Sequence, residues 1–253
     1  MKIYAIVNQK GGVGKTTSVI SLASYLAEKY RVLIVDVDPQ GNATSGLGFD
    51  KDAVEHDIYD IFMKEATPSE VKLSHPHLNI DILPSSPALA GAEIELVQEI
   101  GREYRLKEAM KEVKEDYDYV LIDCPPSLGL LTVNALTAAT SVIIPVQCEY
   151  LALEGLTQLS ATVQMVQKYL NPDLQIRGLI MTMYDGRTNL SRQVVDEVKS
   201  YFPNKVFRAI IPRNIRLGEA PSYGEPISAY APNSSGALAY RYLAAELVKG
   251  DTE

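Results

Sequence analysis

The chain is 253 residues long with 46% hydrophobic and 22% charged residues, a balance that suits a packed globular core and excludes a disordered or fibrous chain. Its formal net charge of −8 excludes a uniformly basic nucleic-acid binder and leaves room for a local basic patch. Met1-Lys2-Ile3-Tyr4 leads straight into apolar sequence and no apolar stretch approaches spanning length, so the chain is expected to stay in the cytoplasm, off the membrane.

The first apolar run, Ile3, Ala5, Ile6 and Val7, is short enough for a buried strand. Gln9-Lys10-Gly11-Gly12-Val13-Gly14-Lys15-Thr16-Thr17 follows, and Val19, Leu22, Ala23 and Leu26 then recur at helical spacing. Strand, glycine loop and helix form the context of a phosphate-binding loop. Gly11, Gly12 and Gly14 let backbone N–H groups turn inward as an anion nest, and a helix starting near Lys15 adds its unpaired N–H groups. In that setting Lys15 reaches the β- and γ-phosphates of ATP and the Thr16 hydroxyl ligates Mg²⁺. Gln9 stands where the common G-x-x-x-x-G-K-[ST] pattern has its first glycine, and Lys10 is an extra lysine at the loop entrance. A plain glycine turn with surface lysines is the alternative, and it leaves the Lys-Thr pair unexplained.

Residues 31–37 form a continuously apolar strand ending in acid, which suits a parallel strand covered on both faces. Asp36, Asp38, Pro39, Gln40, Gly41 and Asn42 then make a polar loop at the carboxyl end, where open α/β sheets bind ligands; a helix cap or solvated turn is the alternative for the two aspartates. A short helix is expected over 58–63, a strand over 78–83, and helical character over 88–113, with Leu89, Ile94, Leu96, Val97, Ile100 and Leu106 interleaved with charges. Residues 117–123 read as an apolar strand ending in Asp123, followed by Cys124-Pro125-Pro126; an aspartate here matches the second acidic element of phosphate-loop enzymes. Further strands are expected at 141–146, 174–183 and 206–211, and helices at 156–170, 190–201 and 235–248, before a short acidic tail. Cys124 and Cys148 lie in or beside apolar runs and are expected as buried free thiols. Strands alternating with helices predict one α/β domain over 1–253, a doubly wound, mostly parallel sheet flanked by helices.

Charge is uneven. Residues 171–220 hold eight Lys/Arg (Arg177, Arg187, Arg192, Lys199, Lys205, Arg208, Arg213, Arg216) against five acids, a local +3 that leaves −11 for the remainder. That distribution is consistent with a DNA-facing patch, scattered surface arginines being the alternative.

The stretches Lys10 to Thr17, Asp36 to Asn42 and Asp123 to Pro126 resemble the ParA/MinD group of deviant Walker ATPases. Gln147-Cys148-Glu149-Tyr150, Thr188-Asn189-Leu190 and Ile211-Pro212-Arg213-Asn214 are similar to its chromosome-partitioning branch, over essentially the whole chain. The resemblance implies a P-loop ATPase with Lys10, Gly11, Gly12, Val13, Gly14, Lys15, Thr16 and Thr17 cradling ATP, and Pro212 and Asn214 at the adenine. It also implies that Lys10 crosses to the nucleotide of a facing subunit, so that an ATP homodimer sandwiches two nucleotides, and that Gly11 stays small to admit that subunit. Asp38 would position the attacking water, Asp36 and Asp123 would support Mg²⁺, and Arg187 and Arg216 would touch the DNA backbone. The implied partners are non-specific double-stranded DNA of the nucleoid and a ParB-type centromere-binding protein that accelerates slow intrinsic hydrolysis, with DnaA added in some relatives. A MinD-type membrane-cycling ATPase is the nearest alternative, and it needs a basic amphipathic C-terminus where this chain has an acidic tip. A metabolic synthetase or kinase would leave Lys10 and the basic patch without a purpose, and a nitrogenase-type reductase lacks its cluster ligands in Cys124 and Cys148.

Overall fold

Near-continuous apolar strands need cover on both faces. The computed structural model, which describes residues 1–149 and 152–252, supplies it. Seven strands, β1 (Lys2–Ile6), β2 (Val32–Asp36), β3 (Leu73–Ser74), β4 (Ile80–Leu83), β5 (Tyr119–Asp123), β6 (Ser141–Gln147) and β7 (Gln175–Thr182), lie in the order β3-β4-β2-β5-β1-β6-β7. All neighbouring pairs are parallel except β3 with β4. The helices are α1 (Lys15–Leu26), α2 (Asn42–Gly46), α3 (Ile58–Met63), α4 (Pro68–Val71), α5 (Leu89–Glu95), α6 (Arg105–Glu112), α7 (Leu130–Ala138), α8 (Ala152–Tyr169), α9 (Asn189–Tyr201), α10 (Ile215–Glu219), α11 (Ile227–Tyr230) and α12 (Ser235–Thr252).

Alternate residues of each strand feed two separate cores. Ile3, Ala5, Leu33 and Val35 pack with α3 and α5 to α9, whereas Tyr4, Ile6, Val32 and Ile34 pack with α1, α2 and α12. On the second face the Ser18 and Tyr240 hydroxyls meet at 2.9 Å and fasten α1 to α12. Because β5 sits between β1 and β2, the loops leaving all three strands open on one edge of the sheet. The register sets Asp123 beside both Ile6 and Asp36.

Three expectations are corrected. Residues 206–211 do not make a strand: isolated bridges, Leu179 with Val206 and Tyr184 with Pro212, and the Phe207 and Ile211 N–H groups, which donate to the Leu179 and Met181 carbonyls at 3.0 and 2.8 Å, tie this segment to β7. Between those bridges the Arg208 and Ala209 N–H groups leave the sheet and donate to the Glu246 carboxylate of α12, at 2.9 and 3.1 Å. The helical stretch 88–113 breaks at Gly101 (φ 71°) into α5, two 3₁₀ turns and α6, leaving Ile94, Val97 and Ile100 exposed rather than in a core. The last helix runs on to Thr252, and the acidic tail folds back into the protein. Asp251, with a side chain only 6% exposed, accepts from the Tyr4 hydroxyl at 2.5 Å and the Tyr119 hydroxyl at 3.2 Å, and pairs with Arg177 at 3.2 Å.

That clasp joins α12 to β1, β5 and β7, and an arginine left there without its carboxylate would be costly. Asp251→Ala is expected to lower unfolding stability by about 2–3 kcal/mol and Tyr4→Phe by about 1 kcal/mol, read from urea melts. An Asp251→Ala variant as stable as the wild type would make the clasp dispensable.

Candidate nucleotide site

The loop after β1 is built from outside as well as from its own glycines. Asn8 anchors its start, donating from Nδ2 to the Pro145 carbonyl at 2.6 Å while Oδ1 accepts from the Lys10 N–H at 3.0 Å. Gly12 (φ 72°) and Gly14 (φ 91°) occupy the left-handed region, where a side chain is strained. Gly14 caps α1, and Thr182 at the end of β7 donates from Oγ1 to the Val13 carbonyl at 2.8 Å. Lys15 is the first residue of α1 and is 7% exposed, with Nζ 3.3 Å from the Lys10 carbonyl. Burial pulls its pKa down, against the opposing field of Asp123, Cys124 and Asp38. Thr16 and Thr17 follow in the first turn.

Asp36 and Asp123 end adjacent strands and are both fully buried. Asp36 Oδ2 accepts from the Thr44 N–H and Oγ1 at 2.9 and 2.8 Å, and Oδ1 accepts from the Asp38 N–H at 3.2 Å. Asp123 Oδ2 accepts from Thr16 Oγ1 at 2.6 Å, whereas the buried Asp123 Oδ1 has no hydrogen-bond partner among the described residues. Burial pushes the Asp36 carboxyl up to about 6, and burial with the nearby Asp36 charge holds Asp123 well above the usual carboxylate range. An orphaned carboxylate oxygen beside a threonine hydroxyl and a second carboxylate is a hard-oxygen donor set that fits Mg²⁺. Asp38, 7% exposed, caps its own turn through Oδ1 and the Gln40 N–H at 3.0 Å, and its carbonyl accepts from Ser85 Oγ at 2.8 Å.

The Lys10 side chain is paired outside this group. Its half-exposed ammonium is 3.7 Å from Glu149 Oε2, and Glu149 Oε1 accepts from Arg213 Nη2 at 3.2 Å. Around Gly11 an added Cβ would meet nothing within 4 Å. Asn214 caps α10, accepting from the Arg216 N–H at 2.8 Å and donating to Ser235 Oγ at 2.8 Å. Pro212 bridges to Tyr184 and also borders a 770 Å³ cavity with Leu238 and Tyr242, which shares no other residue with the candidate nucleotide set. Tyr184 N–H donates to the Ile211 carbonyl and Arg213 N–H to the Tyr184 carbonyl, both at 3.0 Å, so the segment that leads to Arg187 runs beside the one that leads into α10 and Arg216. Each of those arginines is already paired: Arg187 with Asp185 at 2.7 Å and Arg216 with Glu219 at 2.8 Å. The Arg187 guanidinium drives the Asp185 pKa down to about 2. Tyr150, quoted in the Gln147 to Tyr150 motif, lies outside the described residues. Cys124 and Cys148 are buried free thiols, as expected.

The end of α2 meets the turn after α10 backbone to backbone: a Cβ on Gly224 would stand 2.6 Å from the Gly48 Cα. Sequence reasoning missed Asn8, Thr44, Ser85 and Thr182. Each is an ordinary polar residue whose partner lies on another element, the nearest signal being the polar character of strand ends.

A strand, glycine loop and helix beside two strand-end aspartates, with a second lysine at the loop mouth, define a P-loop nucleotide-binding protein of the deviant Walker type. The chain matches the family model AAA_31, described as an AAA domain, over residues 1–176. It is 59% identical to the sporulation initiation inhibitor protein Soj of Bacillus subtilis, covering 97% of this chain and 98% of the relative. It is 51% identical to the chromosome partitioning protein ParA of Myxococcus xanthus, covering 99% and 89%. Among solved structures it resembles a Mycobacterium smegmatis cobyrinic acid a,c-diamide synthase with bound ADP and magnesium, at TM-score 0.89 and 40% identity over 100% of this chain and 96% of that one. This chain belongs to the Soj/ParA family of chromosome-partitioning ATPases.

A folded-state carboxyl pKa raised above the unfolded value costs nothing below about pH 4 and costs increasingly more as pH rises. Asp123→Asn removes that charge while keeping an acceptor for Thr16. Without metal the variant is expected to melt a few degrees higher than wild type at pH 8 and alike near pH 4, by scanning fluorimetry. It should also lose the extra stabilisation that Mg²⁺ adds to nucleotide; retention of that increment would exclude Asp123 from the cation site.

Proposed function

We propose that this chain is an ATP-driven dimerising switch for DNA partitioning, one P-loop domain over 1–253, with the nucleoid as its working surface. The observation that carries the reading is Lys10: a half-exposed second lysine at the loop mouth whose ammonium stands 3.7 Å from Glu149, beside a Gly11 with open space around it. Among the described residues one half-exposed carboxylate, Glu149, meets Lys10 and nothing fills the space beside Gly11, whereas a second copy facing the loop would accept the ammonium on its nucleotide and fill that space. The loop N–H groups from Gly11 to Thr17 and Lys15 bind the β- and γ-phosphates, and Pro212 and Asn214 flank the adenine. Thr16, Asp36 and Asp123 hold Mg²⁺, which when bound neutralises phosphate charge and supplies the cation that the orphaned Asp123 oxygen lacks. Asp38, at the rim of this pair, orients the water that attacks the terminal phosphate. Intrinsic hydrolysis is slow, and a ParB-type partner accelerates it; in relatives that also act on replication, DnaA is a further partner.

Arg187 and Arg216 contact the DNA backbone. Each must exchange a carboxylate, Asp185 or Glu219, for a phosphate, so one protomer binds weakly. Two patches in an ATP dimer bind together through effective concentration, without reading base sequence. The last described turn of α12 is clasped into the fold at Asp251, and a MinD-type membrane-cycling ATPase is the alternative reading. The name of the synthase relative at 40% identity points to a metabolic alternative, which gives no role to Lys10.

Gel shifts on non-specific DNA should show retention with ATP and Mg²⁺ but not with ADP or without nucleotide. Retention in every state, or vesicle binding in its place, would overturn the switch. Affinity should fall about tenfold or more between 50 and 200 mM salt. Arg187→Glu and Arg216→Glu should each abolish DNA binding and leave ATP-dependent dimers in sedimentation. Asp38→Ala should accumulate ATP-loaded, DNA-bound dimer with turnover reduced at least about a hundredfold, and Lys15→Ala should lose nucleotide affinity; wild-type turnover in Asp38→Ala would remove that residue from the mechanism.

A further inference from the structure

Glu149 is the junction of two cationic segments that are far apart in sequence. Its carboxylate faces Lys10 through Oε2 at 3.7 Å and Arg213 through Oε1 at 3.2 Å, with side-chain exposures of 43% for Glu149, 38% for Lys10 and 58% for Arg213. Lys10 belongs to the glycine loop. Arg213 lies between Pro212 and Asn214, in the segment that Tyr184 holds through the Arg213 N–H and that leads into α10 and Arg216. Among the described residues Lys10 and Arg213 are the ion-pair partners of Glu149, and the Arg213 charge also reaches Asp185, whose carboxyl it helps to lower.

We propose that Glu149 is a positioning residue that restrains Lys10 in the single chain and passes its full charge to Arg213 when Lys10 leaves for a facing subunit. This rests on the dimer reading above. While Lys10 is present, two like charges share one carboxylate and each weakens the other's pairing. Departure of Lys10 removes that repulsion, so Arg213 is held more firmly and the 212–216 segment, with Asn214 and Arg216, is steadied as the subunits close. Linkage makes the effect reciprocal: whatever strengthens the Glu149–Arg213 arm loosens Lys10, and whatever removes Arg213 tightens Lys10 in its resting position. Glu149 thus opposes dimerisation by holding Lys10, and Arg213 assists it by competing for Glu149.

Two opposite signs follow from this geometry, which a merely structural role would not produce. Dimer dissociation constants are measured by sedimentation with Mg²⁺ and a slowly hydrolysed ATP analogue, at 50 and 300 mM salt. Glu149→Gln frees two lysines per dimer and is expected to tighten the dimer about fivefold, ~1 kcal/mol. Arg213→Ala is expected to weaken it about twofold to threefold. In the double variant the loss of Arg213 should have no further effect, giving the affinity of Glu149→Gln alone. The differences should shrink at the higher salt, because all three groups are half-exposed. A dimer unchanged or weakened by Glu149→Gln, or an equal effect of Arg213→Ala in both backgrounds, overturns the handover while leaving the dimer reading intact. If the wild type itself stays a single chain with the analogue, the dimer reading and the handover both fall.

Discussion

Two carboxylates, Asp36 and Asp123, stand side by side in the dry interior at the ends of β2 and β5, and the rest of the site is arranged around that juxtaposition. Parallel pairing at this register leaves no choice, since a strand-end acid on β2 must lie beside one on β5. The chain neutralises part of the repulsion with hydroxyl and N–H donors from Thr44, Asp38 and Thr16, and leaves one oxygen unserved. Such a pair is poorly stable alone, so the folded protein carries a local deficit that a bound cation would relieve. The glycine loop, with Lys15 at the head of α1, lies close enough for its ammonium to feel the same field.

How much of this could be read beforehand follows from where each signal lives. The glycine loop, the strand-end aspartates and the parallel order of buried strands are written locally, in contiguous residues, and the structure has them as expected. α7 was not anticipated, because Leu130–Ala138 is apolar or small on every side and carries no helical stripe; it is packed on both flanks, and its Asn134 serves the Leu106 N–H and the Arg102 carbonyl. Residues 206–211 have the composition of a strand, yet Glu246 of α12 takes the Arg208 and Ala209 N–H groups and interrupts the ladder to β7. Thr182, Ser85 and Thr44 act through partners on other elements, and a linear pattern holds no trace of them.

Electrostatics divide the same way. The excess of basic residues over 171–220 is countable in the sequence, but the pairing that masks it is not: Arg177, Arg187, Arg213 and Arg216 all meet carboxylates, two of them from outside the window. The surface is therefore less positive than its composition suggests. Any affinity it had for a polyanion would depend on how readily these short, solvent-accessible ion pairs exchange.

The contact of Gly48 with Gly224 has a mechanical meaning. Where side chains separate neighbouring segments, they can rotate and absorb a displacement. Here two main chains bear on each other with no such cushion. The helix that buttresses Asp36 through Thr44 and the turn that follows the Arg216 helix behave as meshed teeth, and a shift of one by a fraction of an ångström has to be taken up by the other.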